Sequence, residues 1–169
     1  NDLVTGQGTS YLSFNMTPEQ VYQPHLGDVD EWRMASHLMG TGTLSVAHIF
    51  HVHVNPVEIM DIIDESTGGS IFDSYGKCRM QYRLSPAEGG TDTQYSPEYC
   101  DQRHVFRDSI FVKSGYQVIA RTKYTDFTGN IIMHCHILEH EDQGMMSYFT
   151  IIDGKTRNSP TGSDGMSGM

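Results

Sequence analysis

Six of the nine histidines fall in two short clusters, and the spacing within these clusters suggests metal chemistry. The members are His48, His51 and His53 in the first, and His134, Cys135, His136, His140 and Met145 in the second. Imidazole, thiolate and thioether groups all bind transition metals, and copper sites are known that use the three together. The chain elements that carry the two clusters decide how these ligands can be divided.

Strand geometry divides the ligands between two faces. Side chains alternate along a strand with a period of two, so residues 134–136 point both imidazoles to one side and the thiol to the other. By the same rule His51 and His53 share a face, and His48 falls on the opposite one. If the two strands are neighbours, they build two sets of ligands: His48, Cys135, His140 and Met145 on one side, and His51, His53, His134 and His136 on the other.

The first set has a known coordination chemistry. Two imidazoles, one thiolate and a distant thioether form a trigonal copper site suited to one-electron transfer. The spacing Cys135-x4-His140-x4-Met145 lets one tight loop present three of these ligands. The second set is four imidazoles with no carboxylate or thiol, which suits copper and exceeds what a simple electron carrier needs. The residues therefore predict two metal sites back to back, joined by the backbone at Cys135.

At these residues the sequence resembles the multicopper oxidases, which include laccases, ascorbate oxidase, bilirubin oxidase and the bacterial spore-coat laccases. The C-terminal domain of that family carries H-x-x-H-x-H and then H-C-H-x3-H-x4-M, and both patterns occur here in full. The stretch HCHILEHED…MM is most similar to the spore-coat type, and the likeness extends from about Leu26 to Ile152. Ile49 replaces the usual proline of the first motif, which should not alter ligation.

The resemblance implies a role for each matching position. It implies that the blue (type 1) copper is bound by His48, Cys135 and His140, with Met145 as the axial ligand. For the oxygen-reducing three-copper cluster it implies His51 at the type 2 copper, and His53, His134 and His136 at the type 3 pair. Cys135 would also begin the electron path between the sites. Glu141 matches a carboxylate that assists proton delivery, the alternative being a solvated loop acid.

The implied reaction takes single electrons from a donor, either a small molecule such as a phenol or a metal ion, and reduces dioxygen to water. Family members supply four further histidines through two H-x-H motifs of an N-terminal cupredoxin domain, and neither motif occurs here; His25, His37 and His104 are isolated and resemble ordinary surface histidines. The chain is therefore expected to be part of a longer oxidase, to pair with a second chain, or to form a homo-oligomer. The main alternative is an electron-transfer cupredoxin without oxidase activity. A copper nitrite reductase and a copper-storage module are weaker alternatives.

Short strand-like runs separated by turns predict an all-β protein, a Greek-key β-sandwich of the cupredoxin type. The expected elements are strands at 11–15, 28–36, 48–63 with a break at 55–56, 107–112, 117–124, 130–136 and 146–152, and a helical turn at 138–142. Val29, Trp32 and Met34 are expected to be buried. Residues 1–153 are predicted to form a single domain, and residues 154–169 a disordered tail.

Composition excludes some partners and leaves one pair of cysteines open. A net charge of −10 opposes binding to nucleic acid, and no apolar run is long enough to span a membrane. Cys78 and Cys100 flank a polar loop and could either form a disulfide or remain thiols. A disulfide would indicate an oxidising compartment, so a secreted or periplasmic location is expected. Residues 64–101 are interpreted as a long surface excursion, which either forms part of a donor surface or only covers the edge of the sandwich.

Overall fold

The computed structural model describes residues 21–36, 47–92 and 94–154. The strands and α-helices of this part of the chain are β1 (Val29–Ala35), β2 (His48–Val52), β3 (Val57–Asp64), β4 (Gly69–Ser70), α1 (Met80–Arg83), β5 (Phe106–Arg107), β6 (Ser109–Val112), β7 (Tyr116–Lys123), β8 (Gly129–Cys135), α2 (Leu138–Asp142) and β9 (Met146–Ile151). Two short 3-10 helices lie between α1 and β5, at Pro86–Glu88 and Pro97–Tyr99. The predicted strand at 11–15, His37 and all but the first residue of the predicted tail lie outside the described residues.

Two antiparallel sheets form the framework. The first has the order β1-β7-β3-β4, with β5 also paired to β3, and the second has the order β6-β2-β8-β9. The chain crosses from one sheet to the other between β2 and β3, and again between β6, β7 and β8. The predicted all-β sandwich is confirmed. Within the described residues, no helix has both the length and the apolar character needed to cross a membrane.

The strands bury one face because their apolar residues recur with a period of two. Along β7 every second side chain is buried, from Tyr116 through Val118 and Ala120. Trp32 and Met34 are buried as predicted, with exposures of 5% and 3%. The prediction for Val29 is wrong, since its side chain is 48% exposed. Val29 has the opposite parity from Trp32 and Met34, so the alternation of β1 places it on the outer face.

The segment 64–101 is more than a surface excursion. Within it, Cys78 and Cys100 form a disulfide that closes residues 78–100 into a loop. Tyr82 is only 2% exposed and donates a hydrogen bond to the buried carboxylate of Asp64, whereas Tyr75 projects into solvent with 88% exposure. The loop therefore contributes to the core through some of its tyrosines, which its polar composition concealed.

The end of the same loop covers the free edge of β6. The Tyr99 hydroxyl donates to the carbonyl oxygen of Phe111 at 3.0 Å and accepts from the backbone N–H of Lys113 at 2.8 Å. These bonds satisfy edge groups that would otherwise be open to another strand. Since Tyr99 is 3% exposed, the structure favours the edge-covering interpretation for this tyrosine.

Candidate metal centre

The two histidine-bearing strands are hydrogen-bonded neighbours in the middle of the second sheet. Their register sets His51 opposite His134 and Phe50 opposite Cys135. Directly opposed residues of an antiparallel pair share a face, so Cys135 lies with Phe50 and His48 on the face that packs into the sandwich. His51 and His134 share the outer face. The division of the two clusters by strand parity is therefore confirmed.

The inner cluster consists of His48, Cys135 and His140. The Sγ atom of Cys135 lies 3.7 Å from Nδ1 of His48 and 3.5 Å from Nδ1 of His140. A thiolate and an imidazole on one metal, at about 2.3 and 2.0 Å and at an angle between tetrahedral and trigonal, are about 3.5–3.8 Å apart. The three atoms therefore have the spacing of ligands to a single ion, and this set of donors fits copper.

Burial and a neighbouring imidazole favour the metal-binding form of the inner cluster. The Cys135 side chain is 3% exposed, and in the described part of the chain it is the one cysteine outside a disulfide. Burial, and then the neighbouring His140, lowers the pKa of His48. A lowered pKa keeps this imidazole neutral near neutral pH, which is the form that binds metals.

The loop after β8 returns Met145 to the strand that carries Cys135. The backbone N–H of Cys135 donates to the Met145 carbonyl at 3.0 Å, and the N–H of Met145 donates to the His140 carbonyl at 3.0 Å. Met146 stands opposite His134 in the β8–β9 register. Because parity alternates, the backbone places Met145 on the Cys135 side and Met146 on the His134 side.

The outer cluster consists of His51, His53, His134 and His136. The Nε2 atoms of His53 and His134 lie 3.3 Å apart. One nitrogen from each of His51, His53 and His134 falls within 4.8 Å of the others, and the His136 ring centroid is 5.5 Å from those of His51 and His134. Desolvation, and then the neighbouring His51 and His134, lowers the pKa of His53. The structure thus brings together all four predicted imidazoles.

A hydrogen bond from the neighbouring strand orients His51. Its Nδ1 atom lies 2.9 Å from the carbonyl oxygen of Asp108 and 2.9 Å from Oγ of Ser109. A carbonyl can only accept, so Nδ1 carries the proton and Nε2 is left with its lone pair for a metal. Neither Asp108 nor Ser109 was predicted to belong to the site. The RDSIFV segment was a recognisable strand, but its pairing with β2 could not be derived from the sequence.

His134 is oriented in the same way. Its Nδ1 atom lies 3.1 Å from the carbonyl oxygen of Cys135 and 3.4 Å from Oε2 of Glu141. The proton is therefore on Nδ1, and Nε2 faces His53. The structure places the carboxylate of Glu141 beside the outer cluster, with 27% of its side chain exposed.

The isolated histidines of the described chain lie apart from both clusters. His25 pairs with Asp28 at 3.7 Å, and His104 pairs with Glu58 at 2.9 Å. Neither residue belongs to a group of potential metal ligands. They do not replace the histidines missing from the family pattern.

Comparison with known proteins agrees with this geometry. A family model described as multicopper oxidase matches residues 4–155. The chain belongs to the multicopper oxidase family. A laccase from Bacillus stratosphericus is 28% identical over 129 residues, which cover 76% of this chain and 21% of that protein. The family resemblance expected from the two motifs is confirmed, and membership in the multicopper oxidase family implies copper as the metal.

Solved structures show the same fold. A laccase from Pediococcus acidilactici superposes with a TM-score of 0.51 at 24% identity, covering 83% of this chain and 23% of that chain. A multi-copper oxidase from the same organism gives a TM-score of 0.50 at 23% identity, covering 89% and 24%. This multicopper oxidase chain therefore spans less than a quarter of the length of these relatives.

Proposed function

We propose that this chain is the electron-entry part of a laccase-like multicopper oxidase and also supplies half of its oxygen-reducing cluster. His48, Cys135, His140 and Met145 would hold the type 1 copper. His51 would hold the type 2 copper, and His53, His134 and His136 would hold the type 3 pair. One observation carries the proposal: at the end of β8 the thiol of Cys135 lies on one face, and the imidazoles of His134 and His136, on either side of it in the chain, lie on the other.

Copper in the inner cluster would supply one-electron transfer, and copper in the completed outer cluster would supply the reduction of dioxygen to water. The chain itself keeps the Cys135 sulfur away from water, since its side chain is 3% exposed and Phe50 stands opposite it. Phe50 in turn contacts Trp32, with ring centroids 5.7 Å apart. An apolar surrounding of this kind raises the reduction potential of a thiolate site by disfavouring the more highly charged state.

Cys135 also links the two clusters covalently. Its peptide bonds lead directly to His134 and His136, so an electron leaving the sulfur has a short route through bonds to the outer imidazoles. This role agrees with the electron path that the resemblance implies.

Glu141 is the proposed proton carrier for water formation. Its carboxylate contacts His134 on one side, and its side chain retains 27% exposure on the other. A group in this position can exchange protons with solvent and deliver them near the outer cluster. The same contact orients His134, so Glu141 would both carry protons and position a ligand of the outer cluster.

The outer cluster needs a partner surface. His53 and His136 are exposed, and the four imidazoles lie on the outer face of the second sheet. Because the laccase relative is far longer than this chain, we favour a cupredoxin domain of a longer protein as that partner, with a separate chain or a second copy as alternatives. The disulfide supports a secreted or periplasmic location.

Copper loading tests the first half of the proposal. The folded chain should acquire an intense blue absorbance from copper bound to a thiolate, and Cys135→Ser should abolish this absorbance. His104→Ala, which alters an exposed histidine outside both clusters, serves as the matched control and should leave the colour unchanged. A folded chain that binds copper without turning blue would contradict the type 1 assignment.

Oxygen uptake tests the second half. The native assembly should consume oxygen with a phenolic donor and form water, and His53→Ala should abolish this uptake while preserving the blue colour. A blue assembly that never consumes oxygen would favour the alternative, an electron-transfer cupredoxin. The inner cluster is the observation that supports this alternative.

A further inference from the structure

The end of β6 lies beside the strand residue that carries one ligand of the inner cluster. Among the strands of the described chain β6 pairs with β2 alone, and its last residue, Val112, stands opposite His48. The N–H of Val52 donates to the Asp108 carbonyl at 2.9 Å. Because bonded pairs recur at every second residue of an antiparallel ladder, the backbone groups of Val112 point toward His48. The backbone groups of the residues on either side of Val112 therefore point away from β2, toward the edge of the sheet.

The Tyr99 hydroxyl takes the place of a neighbouring strand at this edge. It donates to the carbonyl oxygen of Phe111 at 3.0 Å and accepts from the N–H of Lys113 at 2.8 Å, and these two residues flank Val112. An adjoining antiparallel strand would offer the same combination of one donor and one acceptor. Because Tyr99 is buried, water does not compete for these bonds. The end of β6 is therefore held from both sides.

Two further contacts fix the loop that carries Tyr99. Nζ of Lys113 donates to the Tyr95 carbonyl at 3.1 Å and to Oγ of Ser96 at 3.0 Å, which joins the end of β6 to the loop a second time. Cys100, the residue after Tyr99, is held by the disulfide. The phenol therefore approaches β6 from a fixed position.

We propose that Tyr99 is a positioning residue for His48 and, through it, for the inner metal site. His48 is the first residue of β2, and its Nδ1 atom lies 3.7 Å from Sγ of Cys135. Its place depends on β6, which has only four residues and is held from the far side by the Tyr99 hydroxyl. A ligand that is held before the metal arrives loses less freedom when the metal binds. The inference rests on the proposed type 1 site, since it concerns one of its ligands.

Amide hydrogen exchange in the metal-free chain, followed by NMR, tests the positioning directly. Tyr99→Phe keeps the ring that covers the edge and removes only the hydroxyl. The His48 and Lys113 amides should then exchange at least about tenfold faster, relative to the slowest amides of the same chain, whose exchange reports global unfolding. Tyr82→Phe, which removes a buried hydroxyl bonded to Asp64, is the matched control and should leave His48 unchanged on this scale. Faster exchange at Lys113 without any change at His48 would overturn the proposal.

Copper loading adds a readout at the inner site itself. Tyr99→Phe should bind Cu²⁺ there about tenfold more weakly and shift or broaden the blue absorption band, whereas Tyr82→Phe should match the wild type in both. A Tyr99→Phe chain with the wild-type affinity and band would overturn the proposal.

A second variant covers the case in which circular dichroism shows that Tyr99→Phe does not fold. Lys113→Gln removes the ammonium that joins β6 to the loop and keeps the backbone N–H, so exchange at His48 should rise by about threefold. Unchanged exchange at His48 in this variant would overturn the proposal. A folded wild-type chain that never turns blue would contradict the proposed function, while exchange in the metal-free chain still decides whether Tyr99 positions His48.

Discussion

His140 and Glu141 are adjacent on α2 and contact different clusters. Nδ1 of His140 lies 3.5 Å from the Cys135 sulfur, whereas Oε2 of Glu141 lies 3.4 Å from Nδ1 of His134. One short helix therefore supports the inner and the outer cluster at the same time. Substitutions at the two positions should consequently have separable effects.

Glu141→Gln should weaken metal binding at the outer cluster and leave the inner cluster intact. Removing the carboxylate charge weakens the bond that holds His134, and losses of this kind reduce metal affinity about tenfold or more. We expect Co²⁺ affinity to fall by that factor while the blue absorbance of the copper-loaded chain is retained. Glu139→Gln alters an exposed acid of the same helix and should change neither quantity. Equal effects of the two variants would contradict a specific role for Glu141.

Met145→Leu should alter the blue copper, whereas Met146→Leu should not. Met145 stands on the Cys135 side of β8, and Met146 stands opposite His134. Loss of a weak axial thioether disfavours oxidised copper, so the reduction potential should rise in the Met145 variant. Redox titration of the blue absorbance measures the change. A shift confined to Met146→Leu would mean that the register argument is wrong.

Ser109→Ala should have a smaller effect than Glu141→Gln. The Ser109 hydroxyl and the Asp108 carbonyl both lie 2.9 Å from Nδ1 of His51, and the carbonyl survives the substitution. We expect outer-cluster affinity for Co²⁺ to fall by about threefold, less than for Glu141→Gln, which removes the charge of the carboxylate beside His134. Ser109→Thr, which keeps a hydroxyl, should restore it. A tenfold loss in both variants would indicate a disturbed strand β6 instead.

Removing the Cys78–Cys100 disulfide should lower stability by about 3 kcal/mol, because the bond closes a loop with a sequence separation of 22. Denaturant unfolding of the Cys78→Ser/Cys100→Ser double variant gives the value. The wild-type chain unfolded under reducing conditions should give the same loss. A double variant as stable as the wild type would show that the loop is held by packing alone.

The pH dependence of stability should report the pair formed by Asp64 and Tyr82. Burial acts to raise the pKa of Asp64, but hydrogen bonds led by those from Ser66 and Tyr82 outweigh it, and the pKa lies below the ordinary aspartate value. A carboxylate with a lowered folded pKa stabilises the fold fully above its unfolded pKa. This contribution is lost as the pH falls through the folded pKa.

Tyr82→Phe removes one of these hydrogen bonds. At pH values above about 4, we expect the free energy of unfolding of the variant to be about 1–2 kcal/mol lower than that of the wild type. Below this pH the difference should shrink as the pH falls. Urea unfolding at several pH values measures this difference. A difference that grows on acidification would have the wrong sign for a carboxylate stabilised in its charged form.

Local regularities made much of the fold predictable. The segments 28–36, 117–124 and 146–152 became β1, β7 and β9 with nearly the expected bounds, and the turn at 138–142 became α2. The error at Val29 was one of local parity, whereas the burial of the loop tyrosines depends on distant parts of the chain. Tyr82 is buried because the disulfide and Asp64 hold its loop against the sandwich. No pattern within a polar, glycine-rich segment could have shown this.

The sequence by itself determined which atoms can bind metal and which side of its strand each ligand occupies, because alternation of side chains is a local property of the backbone. The tertiary structure decided which side chains lie beside each other on neighbouring strands of the sheet. His53 and His134 are 81 residues apart, and only the packing of the whole sandwich brings β2 beside β8 in the register that joins them. The contact of Ser109 with His51 depends on the pairing of β6 with β2, and the contact of Glu141 with His134 depends on how the chain folds back after β8. The ligands and Glu141 could therefore be named from the sequence, whereas the contacts that orient the ligands could not.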